Sequence, residues 1–168
     1  MEDLDKTIAE LKIRLSEKGL KAVIIPHISP DGDAAGSCSA LSEVLFRCGI
    51  QRQILTCDFM PEYLRFLKNI PETISYQERA EECKCLIADA DLIFMLDHNT
   101  VKREGDLAPW VSAAKADRII IDHHPEPDCQ QIVISDTRVS STCELLYQVI
   151  TRIWGREMIT VDVANALY

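Results

Sequence analysis

The sequence predicts an α/β domain in which a doubly wound parallel sheet is flanked by helices on both faces. Three observations point to it. Short apolar runs of strand length alternate with longer segments of helical periodicity along the 168 residues, the pattern of a parallel sheet with crossover helices. The runs Lys21-Ala22-Val23-Ile24-Ile25, Asp91-Leu92-Ile93-Phe94-Met95-Leu96 and Arg118-Ile119-Ile120-Ile121 are continuous rather than alternating, as expected of strands buried on both faces. Each of the three is followed within two residues by Asp or His, at the sheet edge where such folds bind their ligands.

The elements follow in order. Leu4, Ile8, Leu11 and Leu15 recur at helical spacing, so the chain opens on an amphipathic helix that Gly19 ends. The first strand, Lys21 to Ile25, leads into a loop from Pro26 to Asp33 and a helix from about Ala34 to Cys48, closed by Gly49. Arg52 to Cys57 is the second strand. Pro61 to Lys68 and Gln77 to Ala88 read as helices, with Asn69-Ile70-Pro71 as the break between them. Between the strands at Asp91–Leu96 and Arg118–Ile121, Asp106 to Lys115 predicts a short helix, and Ile132-Val133-Ile134 a late strand. Ser141 to Trp154 and Val161 to Tyr168 are helical; Ser140 or Ser141 caps the first, and Glu144 completes a capping box. No internal repeat or linker-like stretch is present, so one domain is expected.

Composition excludes several classes. Hydrophobic residues make up 47% of the chain and charged residues 27%, with 6 Gly and 7 Pro, enough apolar material for a core and unlike any disordered or low-complexity chain. No apolar run approaches the roughly 20 residues of a membrane-spanning helix. The start, Met1-Glu2-Asp3-Leu4-Asp5-Lys6, is acidic and lacks the apolar segment of a signal peptide. The net charge of −9 repels long polyanions, and no basic run offsets it. Any nucleic-acid substrate is therefore expected to be short, or held through bound metal. The seven cysteines are scattered, and Cys83-x-Cys85 has the wrong spacing for a zinc knuckle, so reduced thiols and a cytoplasmic location are expected.

The strand ends carry the chemistry. The first strand runs into His27-Ile28-Ser29-Pro30-Asp31-Gly32-Asp33, the one ending at Leu96 into Asp97-His98-Asn99, and the one ending at Ile121 into Asp122-His123-His124. A parallel sheet brings these ends to one edge. Four carboxylates (Asp31, Asp33, Asp97, Asp122) crowded there repel one another unless countered, and two divalent cations balance them. Mixed imidazole and carboxylate donors suit Mn²⁺, Fe²⁺, Co²⁺ or Zn²⁺ better than Mg²⁺ or Ca²⁺. Paired ions roughly 3.5–4 Å apart are a standard device for cleaving phosphoesters. Taken singly, Asp31-Gly32-Asp33 is a polar turn, His123-His124 an exposed pair before Pro125, and Asp97 either a cap on the approach to the Asp106 helix or a solvent-facing residue; the coincidence of three Asp/His clusters at three strand ends argues for a site. Ala35-Gly36-Ser37 opens the helix that follows the first loop. Gly36 there either lets a phosphate approach the helix N-terminus or serves close packing.

His27-x-x-Pro30-Asp31-Gly32-Asp33-Ala34-x-Gly36-Ser37 resembles the first signature of the DHH phosphoesterase family. Asp122-His123-His124-Pro125 is similar to its name-giving motif, and Asp97 falls at its bridging aspartate. Ser140-Ser141-Thr142-Cys143-Glu144-Leu145 resembles the Ser/Thr-rich helix start of the nano-RNase branch. The resemblance implies a Rossmann-like sheet and hydrolysis of phosphoester or phosphoanhydride bonds by a water activated on two ions, usually Mn²⁺. By position it implies His27, Asp31 and Asp97 on one ion and Asp33, Asp97 and His123 on the other. It sets His124 toward the substrate phosphate and Asp122 behind the histidines as an orienting carboxylate; Gly36 and Ser37, at the helix start, are the other candidates for binding substrate.

Very short oligoribonucleotides and adenosine 3′,5′-bisphosphate are the substrates so implied. Cyclic dinucleotides, pyrophosphate or polyphosphate are the alternatives, as is a catalytically silent nucleotide- and metal-binding module. No long nucleic acid and no membrane are expected as partners, and a homodimer is left open. In the family a further metal-binding Asp and a second, substrate-selecting domain follow; this chain stops at Tyr168, before both, so residues 1–168 are read as the N-terminal catalytic domain.

Overall fold

The computed structural model describes residues 2–168; Met1 lies outside them. Six strands form one parallel sheet: β1 (Lys21–Pro26), β2 (Gln51–Thr56), β3 (Ile74–Ser75), β4 (Leu92–Leu96), β5 (Asp117–Asp122) and β6 (Ile132–Ser135), in the order β3-β2-β1-β4-β5-β6. Every pairing is parallel. The chain builds outward from β1 to β3, then returns across β1 and builds outward again from β4. The reversal falls between β1 and β4, where Pro26 pairs with Leu96. Crossover connections leave a crevice at such a point, beyond the carboxyl ends of the two central strands.

Helices cover both faces. Helices α1 (Glu2–Leu15), α2 (Gly32–Arg47), α5 (Thr142–Trp154) and α6 (Val161–Leu167) share one face, and α3 (Tyr76–Asp89) and α4 (Ala108–Ala113) the other. The strands serve both layers by alternation. Ala22 and Ile24 of β1 and Leu92, Phe94 and Leu96 of β4 join the first core, whereas Val23, Ile25, Ile93 and Met95 join the second. That is why these runs are apolar at every position. Among the described residues no helix is long and apolar enough to cross a membrane.

The differences from expectation are local. Pro61–Lys68 is not an α-helix; it holds one 3-10 turn, Glu62–Leu64, because it anchors only Leu64 and Leu67 in the core and ends at Asn69 in the left-handed region. A second 3-10 turn, Ile70–Glu72, follows, and then β3, too short at two residues to show a period. The predicted Asp106–Lys115 helix is a 3-10 segment, Val101–Leu107, followed by α4, with Gly105 at φ 59° interrupting it. Ser141 is the cap of α5, accepting from Glu144 N, while the Glu144 carboxylate accepts from Ser140 N and Oγ. The box is thus shifted by one residue. Cys83 is buried and Cys85 exposed, and all seven cysteines are free.

Candidate metal centre

β1 delivers His27 into the crevice and β4 delivers Asp97, both nearly fully buried. His27 donates its Nδ1–H to the Ile28 carbonyl at 2.7 Å, which leaves Nε2 facing carboxylates: Asp97 Oδ2 at 3.6 Å and Asp31 Oδ1 at 3.9 Å. β5 delivers the histidine pair. His123 Nε2 stands 3.7 Å from Asp97 Oδ1 and 3.7 Å from Asp33 Oδ2, with the His124 ring 4.5 Å away. Asp97 therefore sits between two imidazoles, one at each oxygen. It does so from a strained backbone, φ 61°, a conformation few non-glycine residues adopt and one met at functional sites.

The first loop is shaped by its own helix. Asp31 caps α2, its Oδ1 accepting from Asp33 N and Ala34 N at 3.1 Å, as short polar side chains do at a helix start. The N-terminus of α2 thus already holds a carboxylate. Asp33 turns to α5, where Oδ2 accepts from Thr142 N at 2.7 Å and Oδ1 from Cys143 N at 2.8 Å. The Thr142 hydroxyl reaches Asp97 Oδ1 at 2.8 Å. The three strand-end loops are also tied together: Ile28 N donates to Arg103 O, Asn99 Nδ2 to Pro125 O, and Asp128 N to Asn99 O.

Electrostatics follow from this geometry. Burial pushes the Asp97 carboxyl upward, but contacts with His27 and Thr142 overcome it and hold the group below the usual carboxylate range. The neighbouring Asp97 carboxylate raises His27, against burial and the Arg103 charge. Burial pushes the thiols of Cys38 and Cys143, beside the site, well above their ordinary value, which makes them poor nucleophiles at neutral pH.

The donors fit a divalent cation. His27, Asp31 and Asp97 each place one ligand atom within 4.8 Å of the others, and so do Asp97, His123 and His124. The imidazole–carboxylate separations of 3.6–3.9 Å are too long for hydrogen bonds, yet suit ligands gathered about a shared positive ion. The second group contains His124, whereas the expected set contained Asp33, whose oxygens both engage α5.

Asp122 is fully buried and accepts from His124 Nδ1 at 2.7 Å; it holds His124, with no bond to His123 among the described residues. Its Oδ2 is buried without a hydrogen-bond partner. Gly36 and Ser37 stand differently from expectation. Both are buried: a Cβ on Gly36 would run into the Ala166 carbonyl oxygen and approach Cys143 Sγ to 3.2 Å, and the Ser37 hydroxyl donates to Ala34 O. Gly36 lets α2 approach α6 closely, and neither Gly36 nor Ser37 is exposed.

Three supporting residues escaped the sequence reading. Asp58 follows β2 and accepts from Ser29 N and Oγ, pinning the first loop at a residue with φ 54°; its signal in the sequence is an Asp just past a strand, as at the other strand ends. Glu104 bonds His98 Nε2 at 3.1 Å, while His98 Nδ1 donates to Leu96 O. His98 is therefore locked beneath the site rather than lining it. Thr142 belongs to the Ser/Thr-rich start of α5, where its sequence signal is that of helix capping alone.

Comparison with known proteins agrees with this architecture. An exopolyphosphatase-related protein from Bacteroides fragilis superposes with a TM-score of 0.92 at 32% identity, over 97% of this chain and 48% of that one. The chain thus spans about half the length of that relative. RecJ from Thermus thermophilus, solved in complex with Mn²⁺, matches with TM-score 0.50 and 15% identity over 89% of this chain and 21% of its own. CDC45 from Entamoeba histolytica matches with TM-score 0.54 and 14% identity over 97% and 32%. At those identities the two show a shared fold alone. No curated protein matches the sequence. The N-terminal domain of the DHH family matches residues 21–168, and the chain belongs to that family.

Proposed function

We propose that this chain hydrolyses phosphoester bonds of small nucleotides with the help of two divalent cations, Mn²⁺ foremost, and that very short oligoribonucleotides and adenosine 3′,5′-bisphosphate are its substrates. The observation that carries the reading is the placement of Asp97, with Oδ2 at 3.6 Å from His27 and Oδ1 at 3.7 Å from His123. One carboxylate facing two histidines from two different strands is what a bridging ligand requires. His27, Asp31 and Asp97 would hold one ion; Asp97 and His123, with Asp33 or His124, would hold the other. Cations there supply charge neutralisation at the phosphoryl oxygens and a more acidic attacking water.

The chain's own residues orient the reaction. The Ile28 carbonyl fixes the Nδ1–H tautomer of His27, leaving Nε2 as a ligand. Asp122 likewise occupies His124 Nδ1, so Nε2 is the nitrogen left for a substrate phosphate. Asp97 and His27 are buried enough to exclude bulk water from one side of the centre. The net charge of −9 favours small anions drawn in by metal over long polyanions that need a basic groove. A second reading, hydrolysis of polyphosphate or pyrophosphate at the same centre, is favoured by the 32% identity to the exopolyphosphatase-related protein.

One chromatographic assay separates the readings. The chain is incubated with Mn²⁺ and offered a diribonucleotide, adenosine 3′,5′-bisphosphate and a short polyphosphate together. Mononucleotide or phosphate released from the nucleotides, abolished by EDTA and by Asp97→Ala, is the expected result. Turnover of polyphosphate alone moves the assignment to the second reading. Unchanged turnover in Asp97→Ala rejects the two-metal assignment, and no turnover by a folded, Mn²⁺-binding chain makes this domain a binding module by itself.

A further inference from the structure

We infer that Thr142 is a positioning residue whose hydroxyl sets the orientation of the Asp97 carboxylate, and with it the affinity of the centre for divalent cations. The inference rests on the metal-centre reading above and adds a residue to it. Thr142 is fully buried and is the first residue of the 13-residue helix α5. It makes two hydrogen bonds to two different acidic residues: its backbone N–H to Asp33 Oδ2 at 2.7 Å and its hydroxyl to Asp97 Oδ1 at 2.8 Å. The Cys143 N–H completes a two-pronged grip on Asp33.

The arrangement follows from what a helix start offers. The first N–H groups of α5 lack intrahelical partners and carry partial positive charge, so they seat the Asp33 carboxylate that arrives from the first loop. That seat fixes where the Thr142 Cβ lies, and β-branching leaves the side chain few rotamers. The hydroxyl donates to one oxygen of Asp97. The consequence is a choice between the two oxygens: Oδ1, tethered to Thr142, faces His123, and Oδ2 is left to His27. Without the tether, a carboxylate on a residue at φ 61°, at the end of its strand, is free to rotate about its terminal torsion and lose the split between the histidines. A hydrogen bond to an ionised carboxylate is also among the stronger kinds. Outer groups that orient metal ligands in this way typically change metal affinity by roughly 10- to 100-fold when removed.

Mn²⁺ alone is the probe, titrated calorimetrically into the wild-type chain and its Thr142→Val and Thr142→Ser variants, with circular dichroism establishing the fold of each. Valine keeps the shape and the backbone N–H but lacks the hydroxyl; serine keeps the hydroxyl. The inference expects Thr142→Val to weaken Mn²⁺ binding by roughly 10- to 100-fold and Thr142→Ser to bind within about threefold of wild type. A hydroxyl that merely supports the helix start would leave the Mn²⁺ affinity of folded Thr142→Val unmoved, and that result overturns the inference. So does a Thr142→Ser variant as weak as Thr142→Val. If valine prevents folding, Thr142→Ala, which adds no bulk, takes its place under the same criteria. Wild-type protein that binds no Mn²⁺ refutes the metal centre itself, which sets that failure apart from a failure of Thr142.

Discussion

The buried pair His98–Glu104 illustrates how much of this site is held from underneath. Both side chains are fully buried, and His98 is spanned between the Leu96 carbonyl and Glu104 Oε1. A carbonyl only accepts, so Nδ1 of His98 carries a proton and Nε2 looks toward the carboxyl. Burial raises the Glu104 carboxyl above its ordinary value, with His98 opposing, and its Oε2 lacks a partner. The neutral acid, donating to Nε2, is therefore the better-suited form. The sign follows: between its unfolded and folded values a raised carboxyl keeps a proton that the unfolded chain has lost, so its contribution to stability falls as pH rises from about 4.5 through the folded value. Glu104→Gln keeps a donor for Nε2 and removes this dependence. We predict that the metal-free variant stays within about 1 kcal/mol of wild type, and that wild type loses ground to it as pH rises from about 4.5 to 7 in paired thermal melts. Glu104→Ala, which leaves His98 unpartnered beside a cavity, should cost about 2–4 kcal/mol. A pH-independent difference between wild type and Glu104→Gln would show that the carboxyl is not shifted.

Between elements, the contact of α2 with α6 decides what Gly36 is for. A glycine at a helix start beside acidic motifs is open to two readings in the sequence. In the structure the Ala166 carbonyl oxygen and Cys143 Sγ close on the position where a Cβ would stand, and that settles it as close helix packing. Alanine gains about 1 kcal/mol of helix propensity over glycine, but here the neighbouring atoms are the backbone of α6 and a buried sulfur, neither of which yields readily. Overpacking costs about 1–3 kcal/mol, so Gly36→Ala should lower the thermal midpoint by several degrees. A midpoint at or above wild type would mean that α6 moves aside freely. The same scale accounts for the failed helix at Pro61–Lys68: a segment of two turns has little helical stability of its own and takes the shape its two anchors, Leu64 and Leu67, impose.

For the molecule as a whole, the charge concentrated at one sheet edge would link the binding of divalent cations to stability. Asp31, Asp33, Asp97 and Asp122 meet there on a chain of net charge −9. Cations that bind the folded edge and not the unfolded chain stabilise it by mass action, by about 2.7 kcal/mol at a hundredfold excess over the dissociation constant. We expect saturating Mn²⁺ to raise the thermal midpoint by roughly 5–10 °C, at 2–4 °C per kcal/mol for a chain of this size. Asp97→Asn should abolish most of that rise while leaving the metal-free midpoint little lower. An equal rise in wild type and variant would place the binding cations elsewhere on the acidic surface.

The sequence by itself determined the layers and the sheet edge at which acidic and imidazole side chains gather. Continuous apolar runs such as Leu92–Leu96 had to be strands covered on both faces, and a parallel sheet had to gather the residues after them, His27, Asp97 and His123, along one edge. Those conclusions need only local pattern and the rule that connects it to topology. What only the tertiary structure decided are relations between segments far apart in the chain. The reversal between β1 and β4 puts His27 opposite Asp97. The start of α5 takes both oxygens of Asp33, 109 and 110 residues earlier in the chain, and Ala166 closes over Gly36. No periodicity records such pairings. A single carboxylate or glycine reads alike in a turn, a cap, a packed interface or a metal centre, and the neighbours that choose among these are brought there by the packing of whole elements.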